Sequence, residues 1–310
     1  MTSSTTAGAP TTSSAPRRAP SLKRREARTA YAFLAPSGVG FFAFTLGPII
    51  ASVVIAFFAW PVFGERSFVG FQNFVTIFTS DPIFWRTVGN TLLFVVLYVP
   101  LNFVLALGLA LWISPRIRGR GLYRLLFFLP AVTPIVANAL VWRLLVQPNG
   151  VFADIASWFG VEQFNPLGNE AGAMAAVVAM SLWQGFGYNM LVFSAGLDSI
   201  PDHLYEAASL DGANAPRRFW HVTLPMLSPS LFFAAVMTLI TSFQVFAQPY
   251  VLTGGGPGVG TTTMVMYLYQ RGFQLFDLGT ASAVATVLFA IIAMITAVQF
   301  LGQRKWVHYE

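Results

Sequence analysis

The sequence contains no cysteine and few charged residues. Without cysteine the chain can form no disulfide, thiolate zinc site, iron–sulfur cluster or cysteine nucleophile. Asp, Glu, Lys and Arg make up only 10% of the residues, whereas an average soluble domain has roughly 25%. Hydrophobic residues make up 55%, including 30 Phe and 8 Trp. Since so few charges cannot cover that much apolar surface in water, the composition predicts a polytopic membrane protein.

Six continuous apolar stretches are long enough to cross a bilayer. A hydrocarbon core about 30 Å thick needs roughly 20 helical residues. No stretch alternates with period two, which favours an all-α protein over a barrel. Prolines within them, such as Pro100 and Pro134, predict kinks. The predicted spans, whose ends are approximate, are Tyr31–Trp60, Thr87–Ile113, Leu122–Val146, Ala173–Leu197, Met226–Leu252 and Thr280–Leu301.

The basic residues cluster on one side of these spans. Six precede the first span, four lie at the connection between spans two and three, two lie between spans four and five, and two follow span six. By the positive-inside rule, both termini are therefore expected to be cytoplasmic. The net charge of +6 then indicates topology and attraction to anionic membrane lipid, not nucleic-acid binding. The other side has only Arg66, Arg86, Arg143 and Arg271.

The spans divide the chain into four parts. Residues 1–29, rich in Ser, Thr, Ala and Pro and then basic, predict a disordered cytoplasmic tail. A cleaved signal peptide is disfavoured because the first span is long and no convincing cleavage site follows it. Residues 30–86 hold the first span and an external loop, 87–302 form the core transmembrane domain, and 303–310 form a second cytoplasmic tail.

One polar cytoplasmic loop, residues 198–225, has the pattern of two short helices, and we call it the elbow. Pro201 suits the first turn of a helix, and Gly212 suits the left-handed position after its end. Asn214 can cap a second helix that has Pro216 in its first turn. From spacing alone, a simple connection between two spans is as good an interpretation as a functional one.

The elbow also carries a spaced motif. Glu206-Ala207-Ala208 is followed after three residues by Gly212, and after nine more by Val222, one residue and Leu224-Pro225. This motif resembles the EAA loop of permease subunits in binding-protein-dependent ABC importers, with Val222 where the family pattern has Ile. The resemblance runs from about residue 30 to the C-terminus and is closest to the maltose and glycerol-phosphate type of sugar permease. Further similar segments are Phe68–Phe74, Phe84–Thr91, Gly119–Pro130 and Leu252–Phe273.

The resemblance implies a type I ABC importer permease fold of six transmembrane helices in a prokaryotic cell membrane. It implies alternating-access import of a sugar or sugar derivative. The implied partners are a second permease chain in a heterodimer, two cytosolic ATPase subunits and an extracytoplasmic sugar-binding protein. The chain itself would hold no cofactor and no catalytic residue, since the ATPase binds ATP and Mg. The residues implied in coupling to that ATPase are Glu206, Ala207, Ala208, Asp211, Gly212, Leu224 and Pro225.

Several spans carry polar side chains that need a partner, a cavity or a substrate. In three spans they recur at helical spacing, with Gln244 and Gln248 expected on one face of span five. Amides, hydroxyls and aromatic rings suit a neutral sugar. The alternatives are that they hydrogen-bond between helices, or that the partner permease holds most of the site. The substrate-binding candidates are Asn138, Trp142, Gln184, Tyr188, Asn189, Gln244 and Gln248.

Two other functions compete with this interpretation. An ion-gradient-driven secondary carrier, acting as a dimer, often has an ionisable residue deep in a span, and the predicted spans contain no acidic one. An intramembrane enzyme is disfavoured because the sequence has no His-Glu-x-x-His helix and no convincing serine-nucleophile motif. The three histidines, His203, His221 and His308, are expected to be cytoplasmic, and no metal site is predicted.

The glycine run Gly254–Gly258 has the composition of a phosphate loop but lacks its Gly-Lys-Ser/Thr ending. It also falls on the outer side by the charge distribution. Two interpretations remain open at this stage. The run either makes turns against the external binding protein or simply closes a loop.

Overall fold

The computed structural model describes residues 20–113, 117–161 and 164–307, and these are mainly helical. The first nineteen residues of the predicted tail and His308 lie outside the described residues. The contacts between Cα atoms divide the chain after Ala51 into two units. The four predicted sequence parts stay a prediction.

The first unit is one helical segment that continues a few residues beyond Ala51. Helix α1 (Pro20–Phe41) passes through a π turn (Phe42–Leu46) into α2 (Gly47–Ile55). This segment starts before the predicted Tyr31 and ends before the predicted Trp60. It ends early because the next residues form a small antiparallel sheet, in which β1 (Phe58–Ala59) pairs with β2 (Ser67–Phe68).

The rest of the second unit is a bundle of long helices joined by short ones. In chain order, its helices are α3 (Gln72–Thr79), α4 (Pro82–Trp112), α5 (Arg120–Val132), α6 (Ile135–Val146), α7 (Val151–Trp158), α8 (Glu170–Asp198), α9 (Asp202–Leu210), α10 (Ala215–Arg218), α11 (Leu224–Met226), α12 (Ser228–Phe243), α13 (Ala247–Leu252), α14 (Met264–Tyr269) and α15 (Leu278–Gly302).

Within the described residues, four helices are long and apolar enough to cross a membrane: Glu26–Ile55, α4, α8 and α15. Two bent pairs raise this number to as many as six if each pair is one span. The first pair joins α5 to α6 and α7 with a bend of 92°, and the second joins α10 and α11 to α12 with a bend of 64°. The prediction of a helical membrane protein is confirmed. The count of six spans stays within the range that the helices allow.

Helix α8 lies at the centre of the second unit, where it packs most extensively against α4 and then against α5. Phe94 of α4 and Met180 of α8 are completely or almost completely buried in this core. A small residue lets α5 come close, because a Cβ atom on Gly187 would lie 2.2 Å from the Phe127 carbonyl oxygen. Small residues at helix crossings are the usual means of close packing in membranes.

Proline breaks span three, and neighbouring side chains satisfy the freed carbonyl groups. Pro134 has no N–H to donate to the Pro130 carbonyl. That carbonyl accepts instead from the Thr133 backbone N–H and from the Asn138 side-chain amide, each at 3.3 Å. The carbonyl of Thr133, the residue that follows α5, accepts from the Gln184 side-chain amide at 3.2 Å. The predicted kink at Pro134 is therefore confirmed, and the bend between α5 and the helices that follow it is 92°.

Span five is also broken, and the prediction of one continuous helix over Met226–Leu252 was wrong. Helix α12 ends at Phe243 and α13 begins at Ala247. Pro249 cannot donate to the Val245 carbonyl four residues earlier, and the Thr263 hydroxyl bonds that carbonyl at 2.7 Å.

The break has a consequence for two predicted site residues. Gln244 is an exposed residue at the end of α12, whereas Gln248 is half-buried in α13. They therefore do not share one face of a single helix, as the sequence spacing suggested.

The glycine run folds against its own loop and against the start of α4. The hydroxyl of Thr262 donates to the Gly255 carbonyl at 3.1 Å. The Asn90 amide donates to the carbonyls of Val259 and Thr262, at 2.7 and 3.0 Å. Gly255 has a φ of +89°, where a side chain is strained. These contacts suffice to explain the run as a closed loop, and its contact with a binding protein stays a prediction.

Asp81 joins the start of α4 to the segment that precedes α15. It caps α4 by accepting from the Ile83 and Phe84 amides at 3.0 and 3.3 Å. It also accepts from the Tyr267 hydroxyl and the Arg271 guanidinium. Burial raises the pKa of Asp81, but the Tyr267 and Phe84 hydrogen bonds and the Arg271 charge outweigh it, so that the pKa falls below the ordinary 3.8.

We expect Asp81→Asn to lower the stability of the protein at pH 7 by about 2 kcal/mol, since the asparagine keeps the cap but loses the charge that Arg271 faces. A lowered pKa means that the stabilisation is complete above the ordinary pKa of 3.8 and is lost as the pH falls through the pKa of the folded state. Thermal unfolding of both forms at several pH values checks this.

The matched control is Asp154→Asn, at an exposed carboxylate in the first turn of α7. The unfolding temperatures of wild type and Asp81→Asn should begin to converge below about pH 4 and should meet only below the lowered pKa of Asp81. An equal difference at pH 7 and at pH 2 would show that the charge of Asp81 does not stabilise this contact.

Candidate functional site

The elbow folds as its turn residues predict. Helix α9 begins after Pro201 and ends before Gly212, whose φ of +77° is the left-handed conformation that glycine favours. The Asn214 side chain accepts from the Arg217 amide at 3.1 Å and so caps α10. The predicted helix, turn and second helix of the elbow are confirmed, except that Pro201 lies just before α9 and not in its first turn.

Side-chain contacts attach the elbow at its ends and hold its two halves together. Asp198 accepts from Arg124 at 3.0 Å and from Arg120 at 3.5 Å, which ties the end of α8 to α5. Arg218 donates to the Ser209 hydroxyl at 2.9 Å and links α10 to α9. Each partly exposed ion pair contributes little to stability. Together these contacts connect α5, the end of α8, α9 and α10.

Helix α9 packs on the elbow itself more than on the long helices. Its Tyr205 hydroxyl lies 3.1 Å from the Thr223 hydroxyl, within the π turn Phe219–Thr223 that precedes α11. A cavity of about 1130 Å³ lies between the elbow and the C-terminal ends of α4 and α8. The elbow therefore meets the bundle mainly where it joins α8 and α12.

The residues implied in coupling fall into two groups. Glu206, Ala207, Asp211 and Gly212 are exposed, so another protein could reach them. Ala208, Leu224 and Pro225 are half-buried, and the last two lie at the junction with α12.

Two exposed apolar residues of the elbow were missed from the sequence. Leu210 has 89% of its surface exposed and Trp220 has 62%. Large apolar side chains at the tip of a polar loop are typical of a protein interface. The position of Leu210, between the Glu-Ala-Ala sequence and Gly212, was the signal that could have identified it.

A second site lies between the long helices. It is a cavity of about 350 Å³, at the lower end of the size range of small-molecule sites. Three of the seven substrate candidates line it: Gln184, Tyr188 and Gln248. The other lining residues are Tyr98, Phe128, Ala131, Ile135, Ser181 and Gly185, so none of the lining side chains is charged.

Gln184 is the best-placed of the three polar candidates. Its amide nitrogen is held by the Thr133 carbonyl, as described above. Its amide oxygen is buried and has no hydrogen-bond partner among the described residues. A ligand hydroxyl that reached this oxygen would supply a bond that the chain does not make itself.

The remaining four candidates do not line this cavity. The Asn138 side-chain amide donates to the Pro130 carbonyl at the break in span three. The Trp142 ring packs on the Trp183 ring, with centroids 6.1 Å apart. Asn189 is buried in a network between helices, and Gln244 follows the last residue of α12. For Asn138 and Asn189 the observed contacts are those of the alternative interpretation, in which polar groups hold the bundle together.

Tyr98 is the main cavity residue that sequence reasoning missed. It lies in α4, and its hydroxyl accepts from the Asn102 amide at 3.2 Å. A pair of polar side chains four residues apart in an apolar span was the available signal. Their contact with α8 depends on the packing of α4 and could not be read from one span.

Long apolar helices around an uncharged polar cavity define an integral membrane protein. Residues 103–306 match the family of the binding-protein-dependent transport system inner membrane component. The chain belongs to this family, and the predicted membership is confirmed.

Relatives and solved structures agree with this assignment. The chain is 38% identical over 291 residues to the probable ABC transporter permease protein YesP of Bacillus subtilis, covering 93% of this chain and 94% of YesP. It is 34% identical over 279 residues to the trehalose/maltose transport system permease protein MalF of Thermococcus litoralis, covering 89% and 94%.

Two similar structures come from bacterial alginate transporters. One is an ABC transporter involved in the import of the acidic polysaccharide alginate, with a TM-score of 0.81, 25% identity and coverage of 92% and 98%. The other is an alginate transporter in complex with an alginate pentasaccharide-bound periplasmic protein, with a TM-score of 0.79, 26% identity and coverage of 92% and 96%.

Proposed function

We propose that the chain is a permease subunit of an ATP-driven importer of a neutral sugar or sugar derivative. It works by alternating access in a prokaryotic inner membrane, with six spans and both termini in the cytoplasm. Its partners are a second, different permease chain, two cytosolic ATPase subunits and an extracytoplasmic sugar-binding protein. ATP and Mg bind to the ATPase, and this chain supplies no cofactor site and no catalytic residue.

The uncharged cavity at Gln184 is the observation that supports a neutral sugar as the substrate. Its amides and hydroxyls suit sugar hydroxyls, and its aromatic rings suit the C–H face of a sugar. An acidic sugar would need a cationic partner, and no lining residue is cationic. The neutral substrate of the trehalose/maltose relative therefore fits this cavity better than the acidic substrate of the alginate transporter.

The elbow supports the coupling part of the proposal. Its exposed face is small at Ala207 and Gly212, so that another backbone can approach closely, and Glu206 offers a carboxylate to a cationic partner. Closure of an ATPase dimer would then move α9 as a rigid piece and bias the bundle between two states.

The test is uptake by the complete transporter in vesicles that contain ATP and Mg, with trehalose, maltose and an alginate oligosaccharide as probes. We expect uptake of a neutral sugar that requires ATP and the loaded binding protein. Gln184→Leu should lower it about tenfold, because the variant removes an amide from the cavity. The control is Gln299→Leu in α15, outside the cavity.

Other outcomes separate the competing functions. Transport by this chain alone, driven by a proton or sodium gradient, would favour the secondary carrier. Uptake of the alginate oligosaccharide with no uptake of either neutral sugar would contradict the substrate class but leave ATP-driven import standing.

A further inference from the structure

Tyr98 is placed in the cavity wall by two contacts within α4. Its ring stacks on the Phe94 ring, with centroids 5.2 Å apart and planes 10° from parallel. Its hydroxyl accepts a hydrogen bond from the Asn102 amide at 3.2 Å. Phe94 and Asn102 are almost completely buried, so both supports of Tyr98 belong to the packed bundle.

A chain of hydrogen bonds continues from Asn102 to two other helices. The Asn189 amide nitrogen, in α8, donates to the Asn102 side-chain oxygen at 2.6 Å and to the Thr238 hydroxyl, in α12, at 2.9 Å. All three side chains are buried. The network therefore joins the cavity wall at Tyr98 to the helices on both sides of the elbow.

Chemistry fixes the direction of this chain. With the Asn189 nitrogen toward its two partners, both of its N–H groups are paired and only its oxygen is left without a partner. The reversed amide would leave two buried N–H groups unpaired, which costs more than one under-used carbonyl. Because Asn189 uses the Asn102 oxygen, Asn102 presents its nitrogen to Tyr98 as a donor.

The Tyr98 hydroxyl then has its acceptor side occupied and its proton free. No described residue accepts that proton. We infer that Tyr98 is a specificity-determining residue that donates a hydrogen bond to one hydroxyl of the transported sugar, and that Asn102 is the positioning residue that makes it a donor. This inference rests on the proposed function and assigns one substrate contact within it.

Gly185 shows how closely the hydroxyl is held. A Cβ atom at this position would lie 2.1 Å from the Tyr98 hydroxyl oxygen and 3.4 Å from the Asn102 amide nitrogen. Gly185→Ala must therefore displace the Tyr98 hydroxyl without removing any polar group. It gives a second way to test the inference that does not depend on Asn102.

The experiment measures binding of trehalose, maltose and their monodeoxy analogues to the purified complete transporter. In the wild type, one monodeoxy analogue should bind about tenfold more weakly than its parent, because Tyr98 loses its acceptor. In Tyr98→Phe, the parent should bind five- to tenfold more weakly, and the penalty for that analogue should disappear. Loss of packing alone would weaken the parent and every analogue equally.

Gly185→Ala and Asn102→Leu should each reproduce the selective loss, and either one combined with Tyr98→Phe should add nothing to it. The control is Tyr123→Phe in α5, whose ring packs on Trp112 away from the cavity. An unchanged penalty in Tyr98→Phe, with ATP-driven uptake intact, would overturn the inference and leave the proposed function standing. A wild type that neither binds nor imports these sugars would overturn both.

Discussion

Glu206→Arg is expected to lower ATP-driven uptake at least about a hundredfold while the chain still folds into the membrane. Glu206 is exposed on α9, so reversing its charge costs the isolated chain little. At a docked interface, two like charges facing each other cost several kcal/mol, and about 2.8 kcal/mol corresponds to a hundredfold. Uptake in vesicles and co-purification of the ATPase measure the two consequences.

Glu65→Arg is the matched control for this prediction, because Glu65 is also exposed but lies in the hairpin between β1 and β2. It should leave co-purification of the ATPase unchanged. Full uptake by Glu206→Arg, with the ATPase still bound, would contradict the proposed role of the elbow.

The second large effect, a loss of stability, is expected for a substitution at the crossing of α5 and α8. Gly187→Ala places a Cβ atom 2.2 Å from the Phe127 carbonyl oxygen and 3.0 Å from the Phe128 Cα atom. Since both are backbone atoms, the helices themselves must separate. Overpacking of this kind costs typically 1–3 kcal/mol. We expect a clear drop in the unfolding temperature and in the yield of folded protein.

Gly108→Ala is the control, and it is not expected to lower the stability of the protein. Gly108 lies in α4, and a Cβ atom there would meet nothing within 4 Å. In that open position alanine is a better helix former than glycine by about 1 kcal/mol. The control should therefore be neutral or stabilising. An equal loss of stability in both variants would mean that helix propensity or lipid contact, and not the crossing, determines the effect.

The sequence predicted the elbow well because its structure is determined locally. A glycine after a helix, an asparagine before the next one and prolines in first turns act within a few residues. Gly212 and Asn214 have the predicted conformation and contact. The exposure of Leu210 depends on the direction in which α9 leaves the bundle, which is a tertiary property.

The cavity was only partly predictable. Gln184 and Tyr188 share one face of a regular helix, and the structure places both in the cavity wall. Gln244 and Gln248 were assigned by the same reasoning, but it failed because Pro249 breaks the helix and Thr263 stabilises the break from a distant loop. Helical spacing predicts a shared face only for residues that lie in one continuous helix.

Contacts between spans determined the remainder. Tyr98 and Asn189 become parts of one network because α4 packs extensively against α8. Polar residues in separate apolar spans do not reveal which of them meet. The sequence shows which polar side chains the spans contain. The packing determines which of these side chains line a cavity and which hold the bundle together.

The most direct test of the central claim is a single-cysteine experiment at the tip of the elbow. Because the chain has no cysteine, Leu210→Cys introduces a unique thiol at a highly exposed position. In the assembled transporter we expect this thiol to cross-link to the ATPase subunit, and we expect Glu206→Arg to prevent the cross-link. A thiol that stays free of the ATPase through the whole ATP cycle, or that reacts with a membrane-impermeant reagent added outside intact cells, would contradict the account.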